Sequence, residues 1–142
     1  DSHEVNSVVR NLARNIVRGD MDEALKLLQA FLSTVPYCDN TDYEGHYQQM
    51  LYVIFSLLGI YTDVEVHTLK GRVDMVLRTR TTLYLVELKL NQNAEIAMKQ
   101  IDLQQYADRF ALCGLPVVKV AINFSAETRT IADWVISRGT YA

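Results

Sequence analysis

Three ionisable residues, Asp74, Glu87 and Lys89, interrupt the otherwise apolar segment "GRVDMVLRTRTTLYLVELKL" in the middle of the chain. Two carboxylates that face each other with Cβ atoms about 5 Å apart repel by about 3 kcal/mol at an effective dielectric of about 20. Both stay ionised only if a cation lies between them, and Lys89 supplies part of that charge. A hard divalent ion such as Mg²⁺ or Mn²⁺, which prefers carboxylate and water oxygens, would complete it. These residue types therefore predict a two-carboxylate metal site beside a lysine.

The elements that must position these side chains are two predicted strands, residues 72–78 and 83–90, joined by a polar turn. If the hairpin turns symmetrically about its two central residues, Asp74 lies directly opposite Glu87. Facing residues project from the same side of a sheet, and Lys89 joins that side because strand side chains alternate with period two. The hairpin therefore predicts that all three groups converge on one face.

The alternative is a sheet with one solvated face, on which Asp, Glu and Lys are ordinary polar residues. The neighbouring residues argue against it, because apolar side chains fall on both faces of the two predicted strands: Val73, Met75, Leu77, Leu83, Leu85, Val86, Leu88 and Leu90. This pattern indicates a strand pair that is covered on both sides. Buried charges need partners or metals.

Two predicted helices carry polar residues on faces that should be apolar. Glu44 extends the inward stripe of the third helix at its N-terminal end; the other members of this stripe are Tyr47, Leu51, Ile54 and Leu58. An alternative role for Glu44 is that of a helix-dipole glutamate. Gln100 lies within the buried stripe of a long helix predicted over residues 93–113, where the alternative is a satisfied polar residue. Beside the carboxylate hairpin, both become candidates for the same site.

The order of predicted elements along the chain is three helices, three strands, one long helix and two closing strands. This order predicts an α/β fold in which helices pack on a mixed sheet. The first two helices look like a hairpin that precedes the main domain. We therefore predict an N-terminal helical hairpin over residues 1–36, which would be the end of an upstream module, and a main domain over 37–142.

The composition sets the class of protein. The chain has 142 residues, 49% of them hydrophobic and 22% charged, which is the make-up of one globular domain. Its two cysteines, Cys38 and Cys113, lie far apart and no apolar signal segment opens the chain, so we predict free thiols and a cytoplasmic location. No apolar stretch is long enough to cross a bilayer, so no membrane role is predicted. The net charge of −3 argues against a protein that coats nucleic acid by bulk electrostatics, although a local cationic patch or a bound metal would still attract phosphate.

A helix glutamate followed by "GRVD", "VELK" and a helix with "KQIDLQQY" resembles the PD-(D/E)xK nuclease superfamily. Within it, the chain is most similar to the nuclease-like domain at the C-terminus of certain bacterial AAA-type ATPase-like proteins. The resemblance covers residues 19–134 and implies a restriction-endonuclease-like mixed sheet with the core order α-β-β-β-α-β. Val73 replaces the proline of the superfamily's name, at a position known to vary. No phosphate-binding "GxxxxGK" loop occurs, so no ATPase activity is expected.

The resemblance implies a metal-dependent nuclease that hydrolyses phosphodiester bonds of nucleic acid, with DNA favoured as the substrate. Asp74 and Glu87 would bind Mg²⁺ or Mn²⁺ together with the backbone carbonyl of Leu88, and Lys89 would be the catalytic lysine. Glu44 would be the helix acid, which binds a second metal or an outer-shell water.

Two further residues are given roles towards the substrate. Gln100 would position the attacking water or a phosphate. Arg72, on the same strand face as Asp74, would contact the substrate backbone; the alternative is a surface arginine that pairs with a neighbouring acid. His46 and His67 are not expected to be metal ligands, since neither has a second His or Cys at metal spacing. Four tyrosines are candidates for stacking on bases, although their helical spacing is more typical of core residues: Tyr43, Tyr47, Tyr52 and Tyr106.

A second class of function stays open. The same fold would also serve as a catalytically idle domain that docks an ATPase-like module or another protein, and the acidic net charge is easier to reconcile with that role. The presence of Asp74, Glu87 and Lys89 together argues against it, because an idle site gains nothing from a like-charge pair.

Overall fold

A computed structural model of the protein describes residues 2–35, 43–90 and 114–139. Within them, helices occupy the N-terminal part and a five-stranded sheet follows. The helices are α1 (Ser2–Val17), α2 (Met21–Thr34) and α3 (Tyr43–Leu57), and a short 3₁₀ turn (Leu58–Ile60) continues α3. The strands are β1 (Asp63–Leu69), β2 (Arg72–Arg78), β3 (Leu83–Leu90), β4 (Val117–Ser125) and β5 (Thr130–Gly139). None of the helices in these ranges is both long and apolar enough to span a lipid bilayer.

The turn between α1 and α2 is built from local signals. Gly19 takes a positive φ of 83°, a conformation that glycine adopts without a steric penalty. Asp20 caps α2, because its side chain accepts a hydrogen bond from the backbone N–H of Glu23 at 3.2 Å. The predicted helical hairpin is therefore confirmed, and α1 and α2 pack against each other.

The sheet has the order β1-β2-β3-β4-β5. Its strands pair antiparallel except for β3 and β4, which are parallel, so the predicted mixed sheet is confirmed. A parallel pair needs a crossover connection, and residues 91–113 provide it; the long helix predicted there, with Gln100, lies outside the described residues. Central β3 is buried along its whole length, which is typical of a strand covered on both faces.

The end of the sheet differs slightly from the prediction. The segment "TRTIADWVIS", residues 128–137, predicts a last strand that begins at residue 128, but β5 begins at Thr130 and continues to Gly139. The preceding turn includes Arg129, which has a positive φ of 60° and donates its backbone N–H to the carbonyl of Ser125 at 2.7 Å. Since β4 continues to Ser125, the turn uses the residues that the alternating pattern assigns to a strand.

The main core lies on the face of the sheet that the three helices cover. Residues from α1, α2, α3 and the sheet belong to one buried cluster; its fully buried large side chains include Leu28, Leu32, Leu51, Ile54, Leu77, Leu88, Ile122 and Phe124. A smaller cluster lies on the other face and consists of Val76, Leu83, Leu85 and Val117. Asp74, Glu87 and Lys89, which are predicted to do chemistry, project from that second face.

The N-terminal hairpin is joined to the sheet by polar contacts as well. The side-chain amide of Gln29 donates to the carbonyl of Ile131 at 2.8 Å, and the hydroxyl of Thr130 donates to the carbonyl of Gln29 at 2.6 Å. The indole N–H of Trp134 donates to Asp22 at 2.9 Å. The hairpin thus shares a core with the sheet; the domain boundary at residue 36 stays a prediction.

Candidate functional site

The register of the β2–β3 hairpin brings the predicted carboxylates together. Asp74 pairs directly with Glu87 in the antiparallel ladder, so the predicted register is confirmed. The turn that fixes it is closed by Thr79, whose backbone N–H donates to the carbonyl of Thr82 at 2.9 Å. The Thr79 hydroxyl oxygen accepts the backbone N–H groups of Thr81 at 3.3 Å and Thr82 at 3.1 Å. A one-residue slip, which would send one carboxylate to the opposite face, would break this turn.

Two rows of paired residues cross this face of the sheet. One row consists of His67, Asp74, Glu87 and Ala121. The row beside it consists of Leu69, Arg72, Lys89, Asn123 and Asp133. Ionisable groups from four strands, β1, β2, β3 and β5, therefore lie on one face, near the start of β2 and the end of β3.

Asp74 and Glu87 are largely removed from solvent, with side chains only 14% and 7% exposed. Burial raises the pKa of Asp74 above its ordinary range, against the opposing effect of the nearby cations Arg72, His67 and Lys89. The pKa of Glu87 is raised first by burial and second by the negative charge of Asp74. Both acids thus carry an energetic cost when ionised, which an additional cation would offset.

Arg72 bridges the two carboxylates. Its guanidinium lies 3.3 Å from Asp74 Oδ2 and 3.3 Å from Glu87 Oε1. Of the two predicted roles for this arginine, pairing with neighbouring acids is present in the structure, and contact with a substrate stays a prediction. The pairing is incomplete, because Arg72 Nε, Asp74 Oδ1 and Glu87 Oε2 are buried without a hydrogen-bond partner among the described residues.

The unpartnered oxygens fit a hard cation. Buried polar atoms without partners are rare, and here one such oxygen on each facing carboxylate is free of the Arg72 bridge. Carboxylate oxygens are the donors that Mg²⁺ and Mn²⁺ select. Within the described ranges no group of three or more His, Cys, Asp or Glu residues could hold a metal, so a third ligand, such as the predicted Leu88 carbonyl, would have to be a backbone oxygen, a water or another part of the chain.

Lys89 lies beside the acids on the same face. It is Arg72's partner across the ladder and is only 8% exposed. It forms no ion pair with any carboxylate of the described residues. A buried ammonium next to an acid pair, and not tied to it, is available for an anionic ligand.

Gln48, which sequence reasoning missed, fixes the end of the hairpin that carries the site. Its side-chain amide donates to the carbonyl of Leu69 and, at 3.0 Å, to the carbonyl of Arg72. The N-terminal part of α3 therefore lies against the β1–β2 turn. Glu44 precedes Gln48 by one helical turn, but its side chain lies outside the described residues. The signal in the sequence was a second polar residue one turn after Glu44.

Two candidates for stacking, Tyr47 and Tyr52, and His67, which is not expected to bind a metal, have surroundings that the structure describes. Tyr47 is 2% exposed and its ring lies 4.7 Å from that of Phe124, so it is a core residue. Tyr52 is 41% exposed on α3. His67, the partner of Asp74 on β1, pairs with Glu65 at 2.8 Å. The side chain of Tyr43 and all of Tyr106 lie outside the described residues.

Asn123 on β4 and Asp133 on β5, which the sequence did not single out, extend the charged face to the last two strands. The side-chain amide of Asn123 donates to Asp133 at 3.1 Å. Asn123 is the β4 partner of Lys89. The sequence does not predict this position for Asn123, because the parallel pairing of β3 and β4 is not a local property.

Comparison with known proteins places this geometry in a family. The sequence model that describes the PD-(D/E)XK nuclease superfamily matches residues 42–134, more than half of the chain. The chain is 29% identical over 128 residues to the "Uncharacterized protein in vnfD 5'region" of Azotobacter chroococcum mcd 1, an alignment that covers 85% of this chain and 25% of that protein. The chain thus spans about a quarter of the length of this relative. No solved structure shows significant similarity to the present chain.

The matched residues contain α3, the first four strands and most of the charged face described above. The five-stranded mixed sheet with helices packed on it is the restriction-endonuclease-like α/β fold that the resemblance implied. A specific relationship to ATPase-associated nuclease domains is not among the similarities found. The extent of the match and the agreement of the fold show that the chain belongs to the PD-(D/E)XK nuclease superfamily.

Proposed function

We propose that the protein is a metal-dependent nuclease that hydrolyses phosphodiester bonds of nucleic acid, with DNA as the favoured substrate. The observation that carries this proposal is the facing pair Asp74 and Glu87, largely removed from solvent and each with one oxygen that has no hydrogen-bond partner among the described residues. An acid pair of this kind is costly to keep ionised without a cation. Membership of a nuclease superfamily supplies the class of reaction.

Asp74 and Glu87 would hold Mg²⁺ or Mn²⁺, with the Leu88 carbonyl as a further ligand. When bound, the ion supplies Lewis-acid polarisation of a phosphodiester oxygen and lowers the pKa of a water. The two side chains themselves contribute rigid placement, because both project from paired strands in a closed hairpin. Burial of the acids keeps the surrounding dielectric low, which strengthens every charge interaction at the site.

Lys89 would act on the reacting phosphate. Its ammonium projects from the face that carries both acids and forms no ion pair with a described carboxylate. It is therefore able to orient the attacking water or to offset negative charge that develops on the phosphoryl oxygens.

Arg72 would change partners during the cycle. In the free protein its guanidinium balances part of the charge of Asp74 and Glu87 from 3.3 Å. Cation binding by the acids weakens this attraction, and the guanidinium, whose side chain is 35% exposed, becomes available to donate to a substrate phosphate. The two roles predicted for Arg72 then belong to two states of one site.

Glu44 and Gln100 would complete the site from the helices. Glu44 belongs to the N-terminal end of α3, which Gln48 holds against the β1–β2 turn. We propose that Glu44 binds a second metal or an outer-shell water and that Gln100 positions the attacking water or a phosphate. Substitution of either residue by alanine should lower cleavage while the fold is retained.

The test is cleavage of a mixed panel of DNA and RNA, single- and double-stranded, with Mg²⁺, with Mn²⁺ and with chelator. We expect metal-dependent cleavage by the wild type and none by Asp74→Asn. The matched control is Glu4→Gln, an exposed acid in the first turn of α1, which should cleave normally. Cleavage by Asp74→Asn at the wild-type rate would contradict the proposal.

Metal binding is measured separately by thermal unfolding. A ligand bound only by the folded state stabilises it by about 2.7 kcal/mol at a hundredfold excess over Kd. Mn²⁺ should therefore raise the Tm of the wild type and of Glu4→Gln, whereas Asp74→Asn should lose most of the shift. An unchanged shift in Asp74→Asn would place the ion elsewhere.

A second candidate function is a catalytically idle nuclease-fold domain that docks another module, such as an ATPase-like one. The observation in its favour is that the chain corresponds to only a quarter of its relative. This alternative predicts no cleavage by the wild type on any substrate of the panel, and partner binding that is unaltered by Asp74→Asn.

A further inference from the structure

Three arginines form a row on the exposed side of α1. Arg10, Arg14 and Arg18 follow one another at intervals of four residues, the last directly after the helix ends. All three are exposed, and none forms an ion pair with a carboxylate in the described parts of the chain. Like charges at this spacing destabilise a helix, so the row carries a cost that a merely solvated face would avoid.

The row borders a pocket of about 390 Å³. The three arginines line it together with Ala13, Val17 and Tyr61. The lining also offers accessible apolar and aromatic surface, because Val17 is 51% exposed and Tyr61 is 45% exposed. An accessible aromatic ring thus lies beside guanidinium groups that are not neutralised by any described carboxylate.

A second pocket of about 690 Å³ adjoins the first and shares Val17 and Tyr61 with it. It adds Arg78 and Arg80, at the turn end of the β2–β3 hairpin. Arg78 is paired with Asp63 at 3.0 Å, whereas Arg80 is exposed. We call the two pockets together the arginine groove; its cationic and aromatic residues are Arg10, Arg14, Arg18, Tyr61, Arg78 and Arg80, and its one acidic residue among those described is Asp63, which is paired with Arg78.

The groove runs around one end of the sheet. The helix α1 covers the face opposite the acid pair, since its apolar residues belong to the main core. Arg78, in contrast, projects from the same face as Asp74, four residues along β2. At about 3.3 Å per residue this separation is about 13 Å, close to the length of four stacked nucleotides at about 3.4 Å each. A strand bound in the groove would therefore lead onto the face that carries the acids.

The charge distribution indicates the chemistry of the ligand. The chain has a net charge of −3, yet five of its nine arginines line these two pockets, and no lysine of the described residues does. Arginine binds phosphate bidentately and stacks on planar groups, which lysine does not. Successive arginines of α1 are about 6 Å apart along the helix axis, so the row suits an extended polyanion better than a single compact anion.

We propose that the arginine groove binds a single-stranded nucleic acid, with the phosphates on the arginines and an unpaired base stacked on Tyr61. The nature of the ligand rests on the proposed nuclease function; the location of the surface rests on its own residues. The groove would hold the part of the substrate that flanks the cleaved bond.

The experiment is fluorescence anisotropy of the full chain with a labelled single-stranded DNA, the corresponding RNA and a duplex, in chelator and over a range of salt concentrations. The matched pair of variants is Arg14→Gln and Lys26→Gln. Each removes one exposed positive charge from the same helical hairpin, and Lys26 is outside the groove, paired with Glu23 at 3.1 Å. Circular dichroism confirms that each variant is folded.

We expect the wild type to bind single strands with a strong salt dependence. Arg14→Gln should lower the slope of log affinity against log salt by about 0.7, the value for one single-strand phosphate contact, and Lys26→Gln should leave it unchanged. Replacing all three α1 arginines by glutamine should reduce affinity about tenfold or more. Tyr61→Ala should reduce affinity about tenfold through lost stacking, with no change in the salt slope.

The proposal is overturned if Arg14→Gln and Lys26→Gln weaken binding equally, or if the wild type binds no single strand at low salt. If the wild type binds no single strand, the remaining candidate ligand of the groove is an acidic protein. Failure of this inference is separable from failure of the nuclease proposal, since binding is measured in chelator. Asp74→Asn should abolish cleavage and leave binding in the groove unchanged.

Discussion

At the scale of single residues, ionisation of the two facing acids is less favourable in the folded protein than in the unfolded chain. Burial raises the pKa of both Asp74 and Glu87. Between the ordinary pKa and the raised one, the folded state holds more protons than the unfolded state. The free energy of unfolding therefore falls as the pH rises through this window.

We accordingly predict that Asp74→Asn stabilises the metal-free protein at pH 7. The substitution removes one buried negative charge and its repulsion of Glu87, while the amide oxygen of the new side chain still accepts from Arg72. The gain should exceed the 0.5 kcal/mol or so of an ordinary surface substitution, and it should shrink below the ordinary Asp pKa of 3.8, where the wild-type carboxyl is protonated in both states. Urea unfolding in chelator at both pH values measures it, and destabilisation by Asp74→Asn at pH 7 would contradict the assignment.

Substitution of Lys89 distinguishes the two proposed functions, an enzyme and a docking domain. Lys89→Met keeps the length of the side chain and both carboxylates, so the Mn²⁺-induced rise in Tm should survive. Cleavage should fall about a hundredfold or more, as when one preorganised donor to the transition state is removed. Because Lys89 acts mainly on the transition state, kcat should fall more than substrate affinity. A loss confined to KM would assign Lys89 to substrate binding instead.

At the scale of elements, the precision of the site depends on how α3 meets the β1–β2 turn. Gln48 makes this contact by donating to the carbonyls of Leu69 and Arg72. The backbone of Arg72 is thus held at the point from which its side chain bridges the acids. The site is therefore supported from outside the hairpin that carries it.

Gln48→Leu should remove these two hydrogen bonds at a cost of about 1 to 3 kcal/mol in unfolding free energy. It should also weaken metal binding or cleavage, because the end of the hairpin is no longer fixed. The neighbouring Gln49 is exposed, so Gln49→Leu is the matched control and should have little effect on either quantity. Equal effects of the two variants would mean that Gln48 has no special role.

At the scale of the whole molecule, the N-terminal helices and the sheet share one hydrophobic core. Leu28 of α2 is 1% exposed and belongs to the same cluster as residues of β2, β3 and β4. Trp134, the only tryptophan of the chain, donates to Asp22 across this contact. Its fluorescence therefore reports whether α2 is docked on the sheet.

We predict that urea unfolds the chain in one transition, with coincident curves from Trp134 fluorescence and circular dichroism. Leu28→Ala should lower the unfolding free energy by about 2 to 5 kcal/mol and shift both curves together. Leu27→Ala, at a partly buried position, should cost less. Two separated transitions would show that the segment up to residue 36 folds as a unit of its own.

Much of the candidate site was predictable because its central contact is local. The alternating pattern predicts strands over residues 72–78 and 83–90, and these are the bounds of β2 and β3 in the structure. The symmetric turn then determined the pairing of Asp74 with Glu87. Side-chain periodicity and turn length are properties of adjacent residues, so a short stretch of sequence determines the register of a hairpin.

Only the tertiary structure decided the contacts between residues that are distant along the chain. The bridge from Arg72 to both acids depends on rotamers and burial, and Gln48 reaches its carbonyls across more than twenty residues. The position of Asn123 beside Lys89 follows from a parallel pairing that no periodicity encodes.

The arginine groove shows most clearly which features depend on local sequence and which depend on tertiary packing. The sequence determined that α1 would present arginines at intervals of one helical turn, because the helical repeat depends on local spacing alone. The proximity of these arginines to Tyr61 and Arg80 depends on how α1 packs against the 3₁₀ turn and the end of the hairpin. Packing of this kind is set by the fit of a whole core, to which residues throughout the chain contribute, and it exists only once the chain has folded.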